Sequence, residues 1–414
     1  MTAPETRGCP VRADVDPFDA AYLADPYPLL AELREHDPVA YLPVLDMWAV
    51  TRHADIDAVF RDPTTFSASI AQDPVFPPAP EAREVLAGFR ASPTMSNCDP
   101  PKHTRVRRHT ARAFSARRIA TVEPAIRSRA AELIAAMLRE PEPDVVEALT
   151  FPLPASMIFT LIGFPPEDTE MLRGWCGNRT AFSWGRPTAE EQTGIARNMV
   201  RYWRYCEGFV HARLADPADD YTSDLLRAHL ADSEDLSVDE IVNVVYGLSF
   251  AGHETTTNLT TNGLRRLLED GARWEALCAD PALVPAAVEE VLRYDTSVIA
   301  WRRRTTRPVS VGGVDLPEGA RLLLLLGAAG RDPDAHPDPE RFDLHREPRP
   351  HLAFGKGVHF CLGAPLARLE FRILLELLTA AAPDLELVPG QVLDFSPNVS
   401  FRGPRRLRVR RRRG

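Results

Sequence analysis

The sequence predicts a mainly α protein with small β-sheets, formed as a single large helix-rich domain. Between residues 105 and 295, apolar side chains recur at helical spacing, and only short turns rich in proline or glycine interrupt them. Short runs typical of strands lie before and after this region. No linker or internal repeat divides the 414 residues, and we therefore expect residues 1–414 to form one domain.

Two strands and a helix are predicted near the N-terminus. Residues 39–41 and 47–50 carry β-forming side chains on either side of a turn, which is typical of a hairpin. A helical pattern follows around residues 56–60. Residues 73–94 contain five prolines, so we expect no long helix in that segment.

Strands are predicted again after residue 305. Residues 309–311 and 314–316 flank Gly312 and Gly313, a dipeptide that suits the positive φ angles of a tight hairpin. Residues 322–326 form an apolar run with the length of a buried strand. The predicted chain is thus rich in helix, with small sheets at its two ends.

A long helical stretch follows the capping box formed by Ser237 and Glu240, and no proline occurs in it before residue 270. Its middle, Ala251-Gly-His-Glu-Thr-Thr256, contains a glycine, an acid and β-branched hydroxyl residues, which weaken a helix without an obvious packing gain. Thr255 can bond to the carbonyl group of Ala251, one turn earlier, and so open the helix locally. A local conflict of this kind indicates a functional segment.

One cysteine ends a glycine-rich turn, in the segment Phe354-Gly-Lys-Gly-Val-His-Phe-Cys-Leu-Gly363. Glycines at positions 355, 357 and 363 permit positive φ angles and the close approach of a flat partner. The leucine spacing that follows predicts a helix, so Cys361 would lie at a helix N-terminus, where amides and the helix dipole favour a thiolate. We interpret Cys361 as an iron ligand.

Two other interpretations of Cys361 are open on the residues alone. A cysteine in an apolar context is usually a buried free thiol. A zinc site could combine His351, His359 and Cys361, but this set lacks the paired ligand spacing of zinc sites and leaves the glycines unexplained.

Charge and cysteine content narrow the class of protein. The 58 acidic residues outnumber the 49 basic ones, for a net charge of −9, so a nucleic-acid partner is not expected. Six cysteines without framework spacing suit a reducing compartment. The N-terminus lacks the apolar core of a signal peptide, and no stretch is long and apolar enough to span a membrane. We expect a cytoplasmic protein without a membrane partner.

The segment around Cys361 resembles the haem-binding loop of the cytochrome P-450 superfamily, in which Phe-Gly-x-Gly-x-His-x-Cys-x-Gly is characteristic. Three further motifs resemble that family in the same order along the chain: residues 103–107, 251–256 and 290–293. The resemblance covers essentially the whole chain and is closest to the soluble bacterial haem-thiolate monooxygenases. It implies the cytochrome P-450 fold, haem b as the cofactor and Cys361 as the ligand of its iron.

The resemblance also assigns roles to individual residues. Thr255 and Glu254 would be catalytic, delivering protons for the activation of dioxygen, whereas His253 occupies a variable position of the motif. A structural network would hold the proximal loop through Glu290, Arg293 and Arg341. The haem propionates would be bound by His103, Arg107, His359 and an arginine of the run 302–304, for which the register favours Arg303 over Arg302 and Arg304.

The substrate pocket implied by the resemblance is mostly apolar. Its wall would contain Phe250, Ala251, Val298, Ile299, Ala300, Val399 and Ser400. Such a wall suits a small, largely hydrophobic or aromatic organic substrate. Residues 73–94 would cover this pocket as a lid, although an ordinary surface loop is an equal alternative.

The reaction implied is hydroxylation, O-dealkylation or another oxidation, in secondary metabolism or aromatic catabolism. Electrons would come from NAD(P)H through a ferredoxin and a ferredoxin reductase, as separate chains or as a reductase module absent from this chain. Residues 184–187, 300–303 and 400–404 resemble the haem domains of self-sufficient members that carry a fused reductase. The alternatives are atypical haem-thiolate chemistry, such as a peroxygenase, coupling or nitration reaction, and a haem-binding sensor without turnover.

Overall fold

Helices dominate the part of the chain that the computed structural model describes, which is residues 9–89, 91–93, 95–176 and 179–412. The α-helices are α1 (Ala20–Ala24), α2 (Tyr27–His36), α3 (His53–Arg61), α4 (Pro80–Leu86), α5 (Lys102–Ala113), α6 (Ala116–Met137), α7 (Pro152–Ile162), α8 (Thr169–Cys176), α9 (Arg179–Trp184), α10 (Ala189–Ala215), α11 (Tyr221–Ala231), α12 (Val238–Ala251), α13 (Glu254–Leu268), α14 (Gly271–Ala279), α15 (Val284–Tyr294), α16 (Leu326–Ala329) and α17 (Ala364–Ala381). A π-helical turn spans Val146–Thr150, and 3₁₀ turns span Pro166–Asp168, Pro281–Leu283 and Gly357–His359.

The strands form three small sheets, as the sequence predicts. They are β1 (Val39–Leu42), β2 (Met47–Val50), β3 (Phe66–Ser67), β4 (Trp301–Thr305), β5 (Val309–Val311), β6 (Val314–Leu316), β7 (Arg321–Leu324), β8 (Leu385–Leu387) and β9 (Val409–Arg411). The largest sheet has the order β1-β2-β7-β4-β3, with β2 and β7 parallel. Both predicted hairpins, β1/β2 and β5/β6, are confirmed as antiparallel pairs. The predicted strand 322–326 ends earlier, because the chain turns at Leu325 into α16.

The long helical stretch after Ser237 is broken into α12 and α13. The predicted capping box is present at its start, and the break falls at Gly252 and His253. A Cβ atom at position 252 would lie 2.7 Å from Ile158 Cγ1, so only glycine fits against α7. The predicted side-chain bond is also confirmed, since Thr255 Oγ1 donates to the Ala251 carbonyl oxygen over 2.6 Å. The weak helical residues therefore produce a real opening in the helix.

The main hydrophobic core lies between the long helices. It joins buried side chains of α6, α7, α10, α12, α13, α15 and α17 into one cluster. Among the helix pairs, α17 and α6 make the most extensive contact. The core therefore holds α17, and with it the glycine-rich turn that precedes this helix.

The described part of the segment 73–94 contacts α9 and α10. Its only regular element among the residues described is α4, whose Ala82 packs with Phe182, Ile195 and Met199. The amide of Val75 donates to the Ser183 carbonyl oxygen over 3.0 Å. Positions 90 and 94 of this segment are outside the described residues. The prediction that the segment has no long helix is confirmed for the rest, and its role as a lid stays a prediction.

None of the helices in the described ranges has the length and apolar composition required to cross a membrane.

Candidate active site

The glycine-rich turn places Cys361 two residues before the N-cap of α17. Gly355 and Gly357 both have φ of 68°, as predicted, and a Cβ atom at position 357 would lie 2.4 Å from the Phe60 carbonyl oxygen. Gly363 has φ of −80°, so the prediction of a positive angle is wrong for that glycine. The Cys361 amide donates to the Phe354 carbonyl oxygen over 2.9 Å, which closes the turn.

The thiol of Cys361 is subject to opposing effects. Its side chain retains accessible surface, yet the protein around the sulfur desolvates it, and this is the largest effect on the thiol pKa, which it raises. The amides of Gly363 and Ala364 and the charge of Arg107 lower the pKa, but by less. The amides at the helix N-terminus therefore favour the ionised sulfur, as expected, but desolvation opposes them by more, and the thiolate form of Cys361 stays a prediction.

Two histidines and two arginines meet beside this turn. The rings of His103 and His359 lie 4.1 Å apart, centroid to centroid. Burial, followed by the positive charges of Arg303 and Arg107, lowers the pKa of His359 to about 3. Burial lowers the pKa of His103 to about 4. Arg107 donates to the Phe360 carbonyl oxygen over 2.6 Å and Arg303 to the Arg302 carbonyl oxygen over 2.8 Å.

This cluster fits a ligand with carboxylate groups. Within the described residues, both ring nitrogens of His103 and the Nε2 atom of His359 are buried without a hydrogen-bond partner. Buried polar atoms of this kind are costly unless a ligand or water satisfies them. The two carboxylate groups of haem, its propionates, require cations and hydrogen-bond donors that no acidic side chain already occupies. The residues present therefore fit the haem that the sequence resemblance implies.

Side chains alternate between the two faces of β4, so the three candidate arginines do not point the same way. Arg303 is buried on the face towards Phe60, with its guanidinium carbon 5.1 Å from the ring centroid. Arg302 points to the opposite face and stacks on Trp184 at 3.7 Å. Arg304 is exposed. Only Arg303 of the three lies beside the histidine pair.

The opening between α12 and α13 presents Thr255 and Glu254. The Glu254 carboxylate accepts hydrogen bonds from the Thr180 hydroxyl of α9, at 2.7 and 2.8 Å from its two oxygens. Burial raises the pKa of Glu254 to about 7. This carboxyl group can therefore gain or lose a proton near neutral pH. His253 is 1% exposed and packs on Phe151 at 4.3 Å, which places it in the core.

The predicted pocket wall is only partly accessible. Ala251 is exposed, Val298 is half-buried, and Phe250 is 8% exposed beside the ring of Tyr246. Four other predicted members of the wall are at most 2% exposed: Ile299, Ala300, Val399 and Ser400.

Contacts with other parts of the chain explain the burial of these four residues. The Val399 amide donates to the Trp184 carbonyl oxygen over 3.0 Å. The Ile299 amide donates to the Ser400 carbonyl oxygen over 2.8 Å, and the Ser400 hydroxyl donates to the Ala300 carbonyl oxygen over 2.5 Å. Ile299, Ala300 and Val399 pack in a hydrophobic core cluster with Trp184. Their assignment to the pocket surface is therefore corrected, because contacts within the protein cover all four residues.

The buried network at Glu290 differs from the prediction in one member. Arg293 donates to both carboxylate oxygens of Glu290 over 2.8 Å, as expected. The second cation is Arg346, whose Nε atom lies 3.2 and 3.1 Å from the same oxygens. The Arg341 side chain is 67% exposed and contacts Asp343 instead, while its backbone carbonyl oxygen accepts from Arg293 over 3.2 Å. The prediction for Arg341 is therefore wrong, because its side chain points away from Glu290.

The sequence did not predict the roles of three further residues. Arg368 of α17 donates to Glu289 of α15 over 2.6 and 2.9 Å, and its guanidinium carbon lies 4.6 Å from the Phe354 ring centroid. His351 bonds to the same carboxylate at 3.2 Å. This network fixes both ends of the glycine-rich turn. Thr180, the partner of Glu254, is the third of these residues, and no motif or spacing distinguishes it.

Comparisons with known proteins agree with this geometry. A family model described as Cytochrome P450 matches residues 275–379. The Cytochrome P450 monooxygenase PikC of Streptomyces venezuelae is 36% identical, over 99% of this chain and 96% of the relative. The Erythromycin C-12 hydroxylase of Saccharopolyspora erythraea is 38% identical, over 84% of each chain.

Solved structures show the same fold. The cytochrome P450 CREJ in complex with (4-ethylphenyl) dihydrogen phosphate is 38% identical with a TM-score of 0.93, covering 97% of this chain and 100% of that one. An intact type IV self-sufficient cytochrome P450 monooxygenase is 36% identical with a TM-score of 0.95, covering 99% of this chain but 54% of that one.

Proposed function

Since the chain belongs to the cytochrome P450 family and is a haem-dependent monooxygenase, we propose that it oxidises a small, largely hydrophobic or aromatic organic molecule. The observation that carries this proposal is the opening between α12 and α13, where Ala251 is exposed beside Phe250 and next to Thr255. An apolar surface beside a hydroxyl and a carboxyl group suits a substrate that is positioned by contact area and oxidised at a carbon.

The cofactor is held, in our proposal, by residues from three parts of the chain. Cys361 binds the iron, and His103, Arg107, Arg303 and His359 bind the propionates. Haem, when bound, supplies the activation of dioxygen and the electron transfer that the protein side chains cannot supply. The network of Glu290, Arg293 and Arg346 holds the loop that leads to Cys361.

Thr255 and Glu254 move protons in the proposed mechanism. The Thr255 hydroxyl hydrogen points to the Ala251 carbonyl oxygen, so the lone pairs of Oγ1 remain free to accept a hydrogen bond from water or substrate. Glu254, with its pKa near 7, exchanges protons at neutral pH, and Thr180 fixes the position of its carboxylate. The two residues lie on one turn of α13 and form a short path for protons into the opening.

The names of its relatives support the oxidation of largely hydrophobic organic molecules. CREJ was solved with an alkylphenyl phosphate, and the Saccharopolyspora erythraea and Pseudonocardia autotrophica relatives are hydroxylases named for erythromycin and vitamin D(3). We favour a small aromatic substrate, because α9 and α10 both reach the opening, α9 through the bond of Thr180 to Glu254 and α10 through the ring of Tyr202 on Phe250.

Electrons reach the enzyme from NAD(P)H through redox partners, and we propose that these are a separate ferredoxin and ferredoxin reductase. The chain matches the haem-binding half of a self-sufficient structure and almost the full length of PikC, so both arrangements occur among its relatives. We further propose a cytoplasmic location, where NAD(P)H is available.

The test is a titration of the haem-loaded ferric protein with alkylphenols, alkylbenzoates and macrolide-like compounds, followed through the Soret band. A substrate is expected to shift the haem from low to high spin. Turnover with a surrogate ferredoxin and reductase under labelled dioxygen should then place one labelled oxygen atom in the product. Product formed without a ferredoxin would contradict the separate-partner proposal, and product without the label would contradict monooxygenation.

A further inference from the structure

Arg179, the first residue of α9, has no acidic side chain within salt-bridge distance among the described residues. Its guanidinium carbon lies 4.9 Å from the ring centroid of Phe250 and 5.2 Å from that of Tyr246. In the described part of the chain it forms no salt bridge, and its Nε atom is buried without a hydrogen-bond partner. Arg179 is half-buried, and its two Nη atoms are not among the buried side-chain atoms that lack a hydrogen-bond partner in the described residues.

Other arginines in the same region have acidic partners. Arg186 pairs with Asp16 at 3.0 Å, and Arg213 pairs with Asp220 at 2.7 Å. Aromatic faces attract a cation but do not neutralise its charge, and they remove part of its hydration shell. A guanidinium in this setting gains most from an anion that can reach its free donors.

Arg179 lies close to the residues of the candidate active site. Phe250 immediately precedes the exposed Ala251, and Thr180, the residue after Arg179, bonds to Glu254 over 2.7 Å. Glu254 does not neutralise Arg179, because it is not within salt-bridge distance and its pKa is raised to about 7 by burial. A ligand that lies along Phe250 would therefore be close to the positive charge of Arg179 and to the Glu254 carboxyl group.

We propose that Arg179 binds an oxyanionic group of the substrate, a carboxylate or a phosphate, and so selects aromatic or hydrophobic molecules with one anionic end. Guanidinium binds both oxyanions through two parallel hydrogen bonds. The apolar part of the substrate would lie on Phe250 and Val298. This inference rests on the proposed function, since it specifies the substrate class of the same site.

The experiment compares matched ligands on the haem-loaded protein. One pair is para-toluate and its methyl ester, and the other is para-cresyl phosphate and para-cresol. Dissociation constants come from the spin-state shift and, independently, from calorimetry. At least one anion should bind about tenfold more tightly than its neutral partner, which is the scale of one charge-assisted bond. The stronger of the two anions identifies the group as carboxylate or phosphate.

Variants then locate the effect. Arg179→Gln should remove the preference for the anion and leave binding of the neutral ligand unchanged, while Arg179→Lys should keep part of the preference. Arg201→Gln is the matched control, because Arg201 is exposed on α10. It should behave like the parent protein.

The inference is overturned if no anion binds more tightly than its neutral partner, whether the two bind equally or neither binds. It is also overturned if Arg179→Gln weakens neutral and anionic ligands alike, or if Arg201→Gln has the same effect as Arg179→Gln. Dioxygen-dependent oxidation of a neutral substrate, with no preference for anions, would leave the proposed function standing and remove only the role of Arg179.

Discussion

Replacing Arg346 by alanine should destabilise the protein far more than the same change at Arg341. The Glu290 side chain is 2% exposed, and Arg346, at 14%, supplies one of its two cations. The Arg346 guanidinium also donates to the carbonyl oxygens of Asp338 over 2.9 Å and Arg341 over 2.7 Å. Its removal would leave a buried carboxylate half-neutralised and several carbonyl groups without donors.

The burial of each arginine decides how much free energy of unfolding its replacement should cost. Removing one partner of a buried ion pair typically costs about 3–5 kcal/mol of unfolding free energy. Because Arg293 still neutralises Glu290, we expect about 3 kcal/mol for Arg346→Ala. Arg341 is 67% exposed and 3.6 Å from Asp343, so Arg341→Ala should cost less than about 1 kcal/mol.

Urea unfolding of the haem-loaded variants measures the difference, with far-ultraviolet circular dichroism and the Soret band recorded on the same samples. The Arg346→Ala midpoint should fall well below that of the parent, with loss of haem at lower urea, and the Arg341→Ala midpoint should stay close to the parent. An Arg341→Ala variant as unstable as Arg346→Ala would refute the network as described.

Three further outcomes are expected. Thr255→Ala should keep the haem but divert electrons from product to hydrogen peroxide, measured as product per NAD(P)H consumed, while Thr255→Ser should retain the coupling of the parent. Thr180→Val should move the pH midpoint of turnover upwards from about 7. The Thr180 hydrogen bond lowers the pKa of Glu254 and so opposes the larger effect of burial, which raises it. An unchanged pH profile would show that the ionisation of Glu254 does not control the turnover rate. Burial and the charges of Arg293 and His53 lower the pKa of His336 to about 3 in the folded protein. The imidazole of His336 therefore takes up a proton at a higher pH in the unfolded state than in the folded state. The free energy of unfolding should fall as the pH drops below about 6.5, the ordinary pKa of histidine. His336→Gln should flatten that fall in urea unfolding, and an identical slope in parent and variant would contradict the assignment.

The sequence predicts the local parts of the site well, because each depends on neighbouring residues. The positive φ angles at Gly355 and Gly357 follow from a turn that only glycine can form. The opening at Ala251 follows from a glycine and a threonine one turn apart in a helix. These features are set within a few residues, and the structure bears them out.

Pairings between distant parts of the chain were harder to predict. Arg341 and Arg346 are five residues apart in one loop, and only its path decides which side chain reaches Glu290. Thr180 meets Glu254 across 74 residues, with no pattern to indicate the contact. Ile299 and Ala300 are apolar like a pocket wall, but their pairing with Ser400 buries them in the core. Composition alone does not separate the surface of a pocket from the layer behind it.

The absorption spectrum of the reduced protein with carbon monoxide tests the central assignment, Cys361 as the iron ligand. The parent protein and Cys278→Ser, a change in α14 away from the glycine-rich turn, should both give the long-wavelength Soret band of a thiolate-ligated haem. Cys361→His should lose that band and give the shorter-wavelength band of an imidazole-ligated haem. A long-wavelength band that persists in Cys361→His would contradict the assignment of Cys361, and its absence from the parent protein would contradict thiolate ligation altogether.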